Sequence, residues 1–164
     1  MPSVEIDNRH PFLRVLKPRL RRHLLGVLRR LGKKHVHVDV SLVTDDEIQK
    51  LNQQFRHIDR VTDVLSFALE DALGVPQPRK MLGDIVISLD TARRQAADIA
   101  HKSQQPYGMT EETLFLATHG LLHLLGHDHQ TRRDAVAMQH LERLLISDVT
   151  RLDVHATDRS AHAL

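Results

Sequence analysis

Three histidines in the C-terminal half of the chain have the residue type and spacing of metal ligands. His119 and His123 are four residues apart, so on a helix they lie on one face with their β-carbons about 5–6 Å apart. Gly126 follows where a helix can end in the left-handed conformation that glycine adopts without strain. After that reversal, His129 can supply a third nitrogen. Three neutral imidazoles leave one corner of a tetrahedral zinc ion open for water, which is the layout of a catalytic site.

The spacing of these residues matches the zinc-binding frame of the metzincin peptidases except at one position. The frame has a glutamate directly after its first histidine, and this chain has Gly120 there. Because that glutamate is the general base of the peptidases, its absence disfavours proteolysis and leaves metal binding intact. His127 is a competing ligand for His129, although its ring should reach the ion less easily. Asp128 is a candidate hydrogen-bond partner for a ligand imidazole, or a cap for the next helix.

The same helix can also be explained without a metal, as an apolar core helix whose histidines happen to fall on one side. It carries enough large apolar residues to serve a core: Leu114, Phe115, Leu121, Leu122, Leu124 and Leu125. We favour the metal site because three histidines with a correctly placed glycine form a far more specific pattern than a pair of histidines alone.

Length and composition limit the remaining possibilities. A chain of 164 residues is most simply one domain, which we place at residues 1–150, followed by a frayed C-terminal tail at 151–164. The absence of cysteine excludes disulfides, thiolate zinc sites and a cysteine nucleophile. The N-terminus lacks a basic segment followed by an apolar run, and no stretch is long and apolar enough for a membrane span. We therefore expect a soluble, cytoplasmic protein.

Hydrophobic periodicity predicts four strands and five helices along the chain. The strands are predicted at Ser3–Asp7, Val36–Leu42, Val64–Leu69 and Leu82–Ser88. The first helix is predicted between Arg14 and Lys34, and the second follows a cap at Thr44. The third is predicted from Ser88 or Asp90 to about Ser103. The fourth runs from Thr110 through the histidines, and the fifth starts at Thr131. Gly83, inside the fourth strand, is expected to mark a bulge or a close approach of two backbones.

The first helix is predicted to have a strongly basic face. Between Arg14 and Lys34 the chain has nine lysines or arginines and no acid, while its apolar residues keep a helical spacing. One face of this helix is therefore expected in the core, and the other is positively charged. Such a charge run is either a solvated surface or a surface that faces an anion such as RNA phosphate, and the sequence leaves both open.

Three stretches of the chain together form one characteristic sequence pattern: residues 51–67, residues 82–88 and the histidine stretch 119–129. In the first, the characteristic positions are held by Asn52, Phe55, Arg56, Asp59, Thr62, Asp63, Ser66 and Phe67. In their order and spacing these stretches closely resemble the YbeY family of bacterial metallo-endoribonucleases, and the resemblance covers roughly residues 36–149. Val61 and Ala68 replace prolines of the family pattern, and His127 stands where the family commonly has tyrosine.

The resemblance implies an α+β fold: a single domain with a small mixed four-stranded sheet, a layer of helices and the metal-binding helix near the C-terminal half. It also implies a single-strand-specific, metal-dependent endoribonuclease that acts in ribosomal RNA processing, especially maturation of the small-subunit RNA 3′ end, and in ribosome quality control. Ribosomal RNA and the small ribosomal subunit are then the expected partners. By the same carry-over, His119, His123 and His129 are the ligands of one zinc ion, and Arg56 is the functional arginine.

Two other functions stay open on the sequence: a ribosome assembly factor with a mainly structural zinc, and a zinc hydrolase with a substrate other than RNA. Arg56 also has a simpler explanation, a loop-stabilising ion pair with Asp59 or Asp63. As a functional group, its guanidinium could hold a phosphate by two parallel hydrogen bonds. With four Phe, one Tyr and no Trp, the chain has too few aromatic residues for a base-stacking platform.

Overall fold

The computed structural model describes residues 1–69, 80–127, 130–150 and 152–155. Within them the strands are β1 (Ser3–Asn8), β2 (Val36–Val43), β3 (Val64–Ala68) and β4 (Lys80–Ser88). The helices are α1 (Lys17–Arg30), α2 (Asp45–Arg56), α3 (Leu89–Ser103), α4 (Met109–Leu124) and α5 (Arg132–Leu145). The predicted order of strands and helices is confirmed, and the predicted histidine helix is α4.

The strands form one mixed four-stranded sheet in the order β1-β2-β4-β3. Strands β1 and β2 are parallel, as are β2 and β4, whereas β3 runs antiparallel to β4. The expected α+β fold with a small mixed sheet is therefore confirmed. Strand β3 lies at an edge of the sheet, so the outer side of its backbone is available to side chains from other elements.

Gly83 marks the close approach of two backbones that the sequence predicted. Its φ is +139°, and a β-carbon there would lie 2.0 Å from the carbonyl oxygen of Phe67 in β3. The register between β2 and β4 shifts at the same place, between His37 and Val38. Only glycine can bring β3 and β4 together at this point, because any side chain would clash with the β3 backbone.

Alternate residues of β4 divide the core into two parts on opposite faces of the sheet. Ile85 and Ile87 lie in the larger part, with buried residues of α1, α3, α4 and α5, whereas Val86 lies in the smaller part with Ile48 of α2. Helix α2 thus covers one face, and the other four described helices cover the opposite face. None of the helices in the described part of the chain is long and apolar enough to span a membrane.

Three of the predicted helix caps are confirmed and one is wrong. At each confirmed cap a side-chain oxygen accepts a hydrogen bond from the backbone N–H three residues later: Thr44, Ser88 and Thr131. The prediction that Thr110 caps the histidine helix is wrong, because the cap of α4 is Gly108. The carboxylate of Glu111 reaches back and accepts the Gly108 amide at 2.9 Å, which stabilises the earlier start.

Four residues of the predicted C-terminal tail lie in the described part of the chain. Of residues 151–164 the structure describes 152–155, and the others lie outside the described residues. Val154 is fully buried in the main core, Leu152 packs against it, and the side chain of His155 is 7% exposed. The fraying of 151–164 stays a prediction.

Candidate metal centre

Helix α4 is buried along most of its length, and its packing determines which way its side chains point. Gly120, the residue after His119, lies on the side of α4 that faces the sheet. A β-carbon on Gly120 would lie 2.9 Å from Cγ2 of Ile85 and 3.4 Å from Cγ2 of Val64. A glutamate at this position would therefore press into β3 and β4 rather than reach the histidines. The missing peptidase glutamate thus has a structural reason, the close packing of α4 on the sheet.

His119 and His123 face each other through their ε nitrogens, one turn apart on α4. The two Nε2 atoms are 3.1 Å apart. The ring centroids are separated by 4.7 Å, and the ring planes meet at 67°. The side chain of His119 is 28% exposed, so a ligand can approach from solvent. Two nitrogen lone pairs at this distance repel each other unless a proton or a cation lies between them.

The carboxylate of Glu142, on α5, determines the orientation of the His119 ring. Glu142 is 1% exposed, and its Oε1 lies 2.8 Å from Nδ1 of His119. Burial is the largest influence on Glu142 and by itself raises its pKa, but the hydrogen bond from His119 and the proximity of both His119 and His155 outweigh burial and lower the pKa from 4.5 to about 2. At neutral pH the carboxylate can only accept, so His119 donates from Nδ1. In the neutral ring, the nitrogen directed at His123 is therefore the unprotonated one.

A third histidine reaches Glu142 from the segment after α5. Nε2 of His155 lies 3.3 Å from Oε2 of Glu142, and both side chains are almost completely buried. The His155 ring also meets the ring of Phe115 edge-on, with centroids 5.4 Å apart. Glu142 therefore joins a partly exposed histidine on α4 to a buried histidine beyond α5.

The two facing ε nitrogens fit a tetrahedral zinc site. Zinc–nitrogen distances of about 2.0–2.1 Å place two tetrahedral nitrogen ligands about 3.3 Å apart, close to the 3.1 Å observed between His119 and His123. Metal-binding imidazoles also commonly donate their other N–H to a carboxylate, as His119 does to Glu142. We call His119, His123 and Glu142 the candidate metal centre.

The third predicted ligand, His129, and its neighbour Asp128 lie outside the described residues. Within the residues that the structure describes, no three histidine, aspartate, glutamate or cysteine side chains come together in a group that could hold an ion. The structure thus brings together two of the three predicted ligands. His129 as the third ligand stays a prediction.

Helix α4 ends and reverses as the sequence predicted. Gly126 has a φ of +94°, in the left-handed region that favours glycine. The backbone N–H of His127 then donates to the carbonyl of Leu122, which closes the last turn. The side chain of His127 is exposed. Its competition with His129 for the metal also stays a prediction.

Arg56 lies at the C-terminal end of α2, against the free edge of β3. Its Nη2 donates to the carbonyl oxygen of Ser66 at 2.9 Å, and its guanidinium lies 5.7 Å from the ring centroid of Phe67. The alternative ion pairs with Asp59 or Asp63 are not formed among these described residues. Asp59 accepts a hydrogen bond from Gln49, and Asp63 accepts hydrogen bonds from the Val64 amide and Gln95.

Arg56 and the metal-binding helix contact the same edge strand. The guanidinium contacts β3 at Ser66, and α4 packs against β3 at Val64 next to Gly120. These two β3 residues are separated by about 6.6 Å along the strand, at 3.3 Å per residue. Arg56 and α4 therefore contact the same edge strand, although α2 and α4 cover opposite faces of the sheet.

The basic face of α1 is partly used in contacts within the protein. Arg21 donates to the carbonyl of Val4 at 3.0 Å. Arg19 lies 3.8 Å from Glu111, and Arg30 lies 3.9 Å from Asp148. Arg19, Arg22 and Arg30 also line a cavity of about 210 Å³ between α1, α4 and the residues at the end of α5. Two of the three arginines at this cavity are therefore ion-paired within the protein, and Asp148 also lies in its lining.

Glu142 and His155 were not predicted from the sequence. In α5 Glu142 is buried, whereas its apolar neighbour Leu141 is only partly buried. A signal was present in the sequence, because Met138, Glu142 and Leu145 have the four- and three-residue spacing of one helix face. A carboxylate at an apolar position of such a stripe indicates a buried partner. Nothing comparable marked His155.

A mixed sheet with helices on both faces, and two facing histidines on one of them, makes this chain an α+β domain with a candidate metal site. The chain belongs to the YbeY family, because the family model described as Endoribonuclease YbeY matches residues 6–150. The YbeY endoribonuclease of Myxococcus xanthus is 47% identical over 137 residues, which are 79% of this chain and 43% of that protein. That of Moorella thermoacetica is 42% identical over 118 residues, which are 68% of this chain and 72% of that protein.

A solved structure supports the fold. The solution structure of a protein from Thermotoga maritima matches this chain with a TM-score of 0.56 and 26% sequence identity. The match covers 95% of this chain and 97% of that one. The fold described above is therefore shared over nearly the whole length of both proteins.

Proposed function

We propose that this chain is a zinc-dependent endoribonuclease that cuts single-stranded RNA. The observation that carries the proposal is the 3.1 Å separation of the ε nitrogens of His119 and His123, with the His119 ring fixed by Glu142. Imidazole nitrogens of this kind are preferred ligands of zinc. Membership of the YbeY family supports RNA as the substrate.

When held by His119, His123 and His129, a zinc ion supplies Lewis acidity toward a phosphoryl oxygen and a water whose pKa is lowered toward neutrality. The protein supplies orientation and charge. Arg56 is proposed to hold the phosphate: a guanidinium has five N–H donors, and its hydrogen bond to Ser66 uses one of them. Two parallel hydrogen bonds to a phosphate offset the charge that develops on its oxygens in the transition state.

The basic face of α1 is proposed to attract the rest of the RNA strand. The arginines around the cavity, Arg19, Arg22 and Arg30, would contact phosphates without regard to base sequence. Sequence preference would then come from the larger assembly in which the RNA is presented. We propose that this assembly is the small ribosomal subunit in the cytoplasm, with maturation of the 3′ end of its RNA and ribosome quality control as the cellular roles.

The direct test is cleavage by protein purified without a His-tag. We expect it to cut a labelled single-stranded RNA, to lose this activity after chelation and to regain it when zinc is added. Casein, incubated in parallel, should stay intact. Cleavage of casein alone would favour a zinc hydrolase with another substrate. Zinc-dependent folding without any RNA cleavage would favour an assembly factor with a structural ion.

The role of Arg56 is tested by the substitution Arg56→Lys. Lysine keeps the charge but cannot form the two parallel hydrogen bonds, so we expect kcat for RNA cleavage to fall on the order of 100-fold. Zinc content and melting temperature should stay the same. Arg60→Lys is the matched control, since Arg60 is also exposed and lies four residues after Arg56, in the connection between α2 and β3. Equal kcat values for the two variants would exclude Arg56 from catalysis.

A further inference from the structure

The contacts around Glu142 extend the metal centre beyond its ligands. This carboxylate is 1% exposed and has a histidine at each oxygen. Oε1 lies 2.8 Å from Nδ1 of His119, and Oε2 lies 3.3 Å from Nε2 of His155. A buried charge is costly unless it is paired, so an arrangement that places it between two imidazoles needs both partners.

We propose that Glu142 is a positioning residue that holds His119 in the tautomer and orientation needed to bind a metal, and that His155 holds Glu142 in place. The inference rests on the metal binding part of the proposed function and not on RNA cleavage. His155 lies beyond residues 6–150, the part of the chain that the family model matches. Neither the family match nor the predicted ligand set gives these two residues a role.

Glu142 determines which ring nitrogen of His119 carries the proton. A free neutral histidine can carry its proton on either ring nitrogen, and a ring protonated on Nε2 cannot use that nitrogen to bind a metal. Because Glu142 accepts the Nδ1–H of His119, the lone pair is placed on Nε2, toward His123. The carboxylate therefore selects the one form of His119 that fits the metal centre.

His155 supports the carboxylate of Glu142 from the side opposite His119. The Glu142 side chain belongs to α5, and its second carboxylate oxygen meets a residue from the segment beyond that helix. His155 gives that support: its ring packs edge-on against Phe115 of α4, and its Nε2 faces the second oxygen of Glu142. The neighbouring Val154 is fully buried and anchors the segment. The segment after α5 thus stabilises the geometry of a ligand on α4.

The test measures zinc affinity of the metal-free, full-length protein by competition with a chromophoric chelator. We expect Glu142→Ala to weaken zinc binding about 10–100-fold, the range typical for loss of the carboxylate behind a ligand histidine. Glu142→Gln should recover part of this loss, because its amide oxygen can still accept the Nδ1–H of His119. His155→Ala should weaken binding by a smaller factor. His140→Ala is the matched control, since His140 is an exposed histidine on the same helix, and it should bind zinc as the wild type does.

A second measurement does not depend on zinc. Nitrogen NMR of the histidine rings in the metal-free protein should show His119 protonated on Nδ1 in the wild type and a mixture of tautomers in Glu142→Ala. Unchanged zinc affinity and an unchanged tautomer in Glu142→Ala would overturn the inference. If the wild type shows the expected tautomer but binds no zinc, the proposed function fails while the positioning of His119 by Glu142 stands.

Discussion

The pair of His10 and Asp90 and the pair of His119 and Glu142 in the candidate metal centre both join an imidazole nitrogen to a carboxylate oxygen at 2.8 Å. They differ in what the second nitrogen of the ring does. Nδ1 of His10 accepts the backbone N–H groups of Phe12 and Leu13, at 3.1 and 3.0 Å. Both nitrogens of His10 are therefore engaged inside the protein. In the candidate metal centre the second nitrogen of His119 instead faces His123 at 3.1 Å.

The two pairs also differ in what surrounds the carboxylate. Asp90 also accepts the Asp45 amide, and Asp45 in turn accepts hydrogen bonds from Ser88 and Thr91. This network ties the starts of α2 and α3 to the end of β4, so it stabilises the fold. The carboxylate of the metal centre instead lies behind a partly exposed ring. The comparison teaches that a histidine–carboxylate distance does not identify a functional site, whereas the direction and partner of the second nitrogen do.

The largest expected effect that separates the two pairs comes from removing one histidine at each place. His123→Ala should abolish zinc retention and reduce RNA cleavage to background, because it removes a proposed ligand. The metal-free variant should keep its free energy of unfolding within about 1 kcal/mol of the wild type, since the side chain is partly exposed. His10→Ala should keep zinc content and cleavage, but lower the free energy of unfolding by about 1–3 kcal/mol, because the buried imidazole and its three hydrogen bonds to partly buried groups are lost.

Zinc analysis, RNA cleavage and urea unfolding of both variants check this contrast. Equal losses of stability in the two variants would contradict the assignment of His10 to the fold and His123 to the candidate metal centre. Loss of zinc from a folded His10→Ala variant would contradict it as well.

A smaller effect is expected in acid at the His10 pair. Burial by itself raises the pKa of Asp90, but hydrogen bonds from the Asp45 amide and His10 outweigh burial and lower the pKa. A carboxyl whose pKa is lower in the folded state stabilises the fold above its ordinary pKa, near 3.8, and this contribution is lost as the pH falls from about 5. Asp90→Asn should therefore lose stability less steeply than the wild type below about pH 5.

Urea unfolding at a series of pH values measures this slope. The zinc content of Asp90→Asn at neutral pH should equal that of the wild type. An acid slope as steep as in the wild type would mean that Asp90 is not the stabilising carboxylate of this network.

The sequence predicted what depends on local spacing and missed what depends on contacts between distant elements. The four-residue spacing of His119 and His123 and the reversal at Gly126 follow from helix geometry, and the structure confirms both. The partners of these rings do not follow from spacing. Glu142 lies 23 residues from His119 and reaches it only because α5 packs on α4.

The burial of Val154 has a related explanation. The residues after α5 are mostly small and polar, and such a composition predicts fraying. The burial of Val154 depends on a site in the core that is formed by other elements, so it could not be read from the segment itself. The same packing brings His155 to Glu142.

The most direct test of the metal centre is zinc-edge X-ray absorption of the untagged protein loaded with one equivalent of zinc. If His119, His123 and His129 are the ligands, the first shell should contain only nitrogen and oxygen at about 2.0–2.1 Å, with outer-shell scattering from three imidazole rings. A shell with one imidazole or none, or a protein that does not retain zinc, would contradict the account.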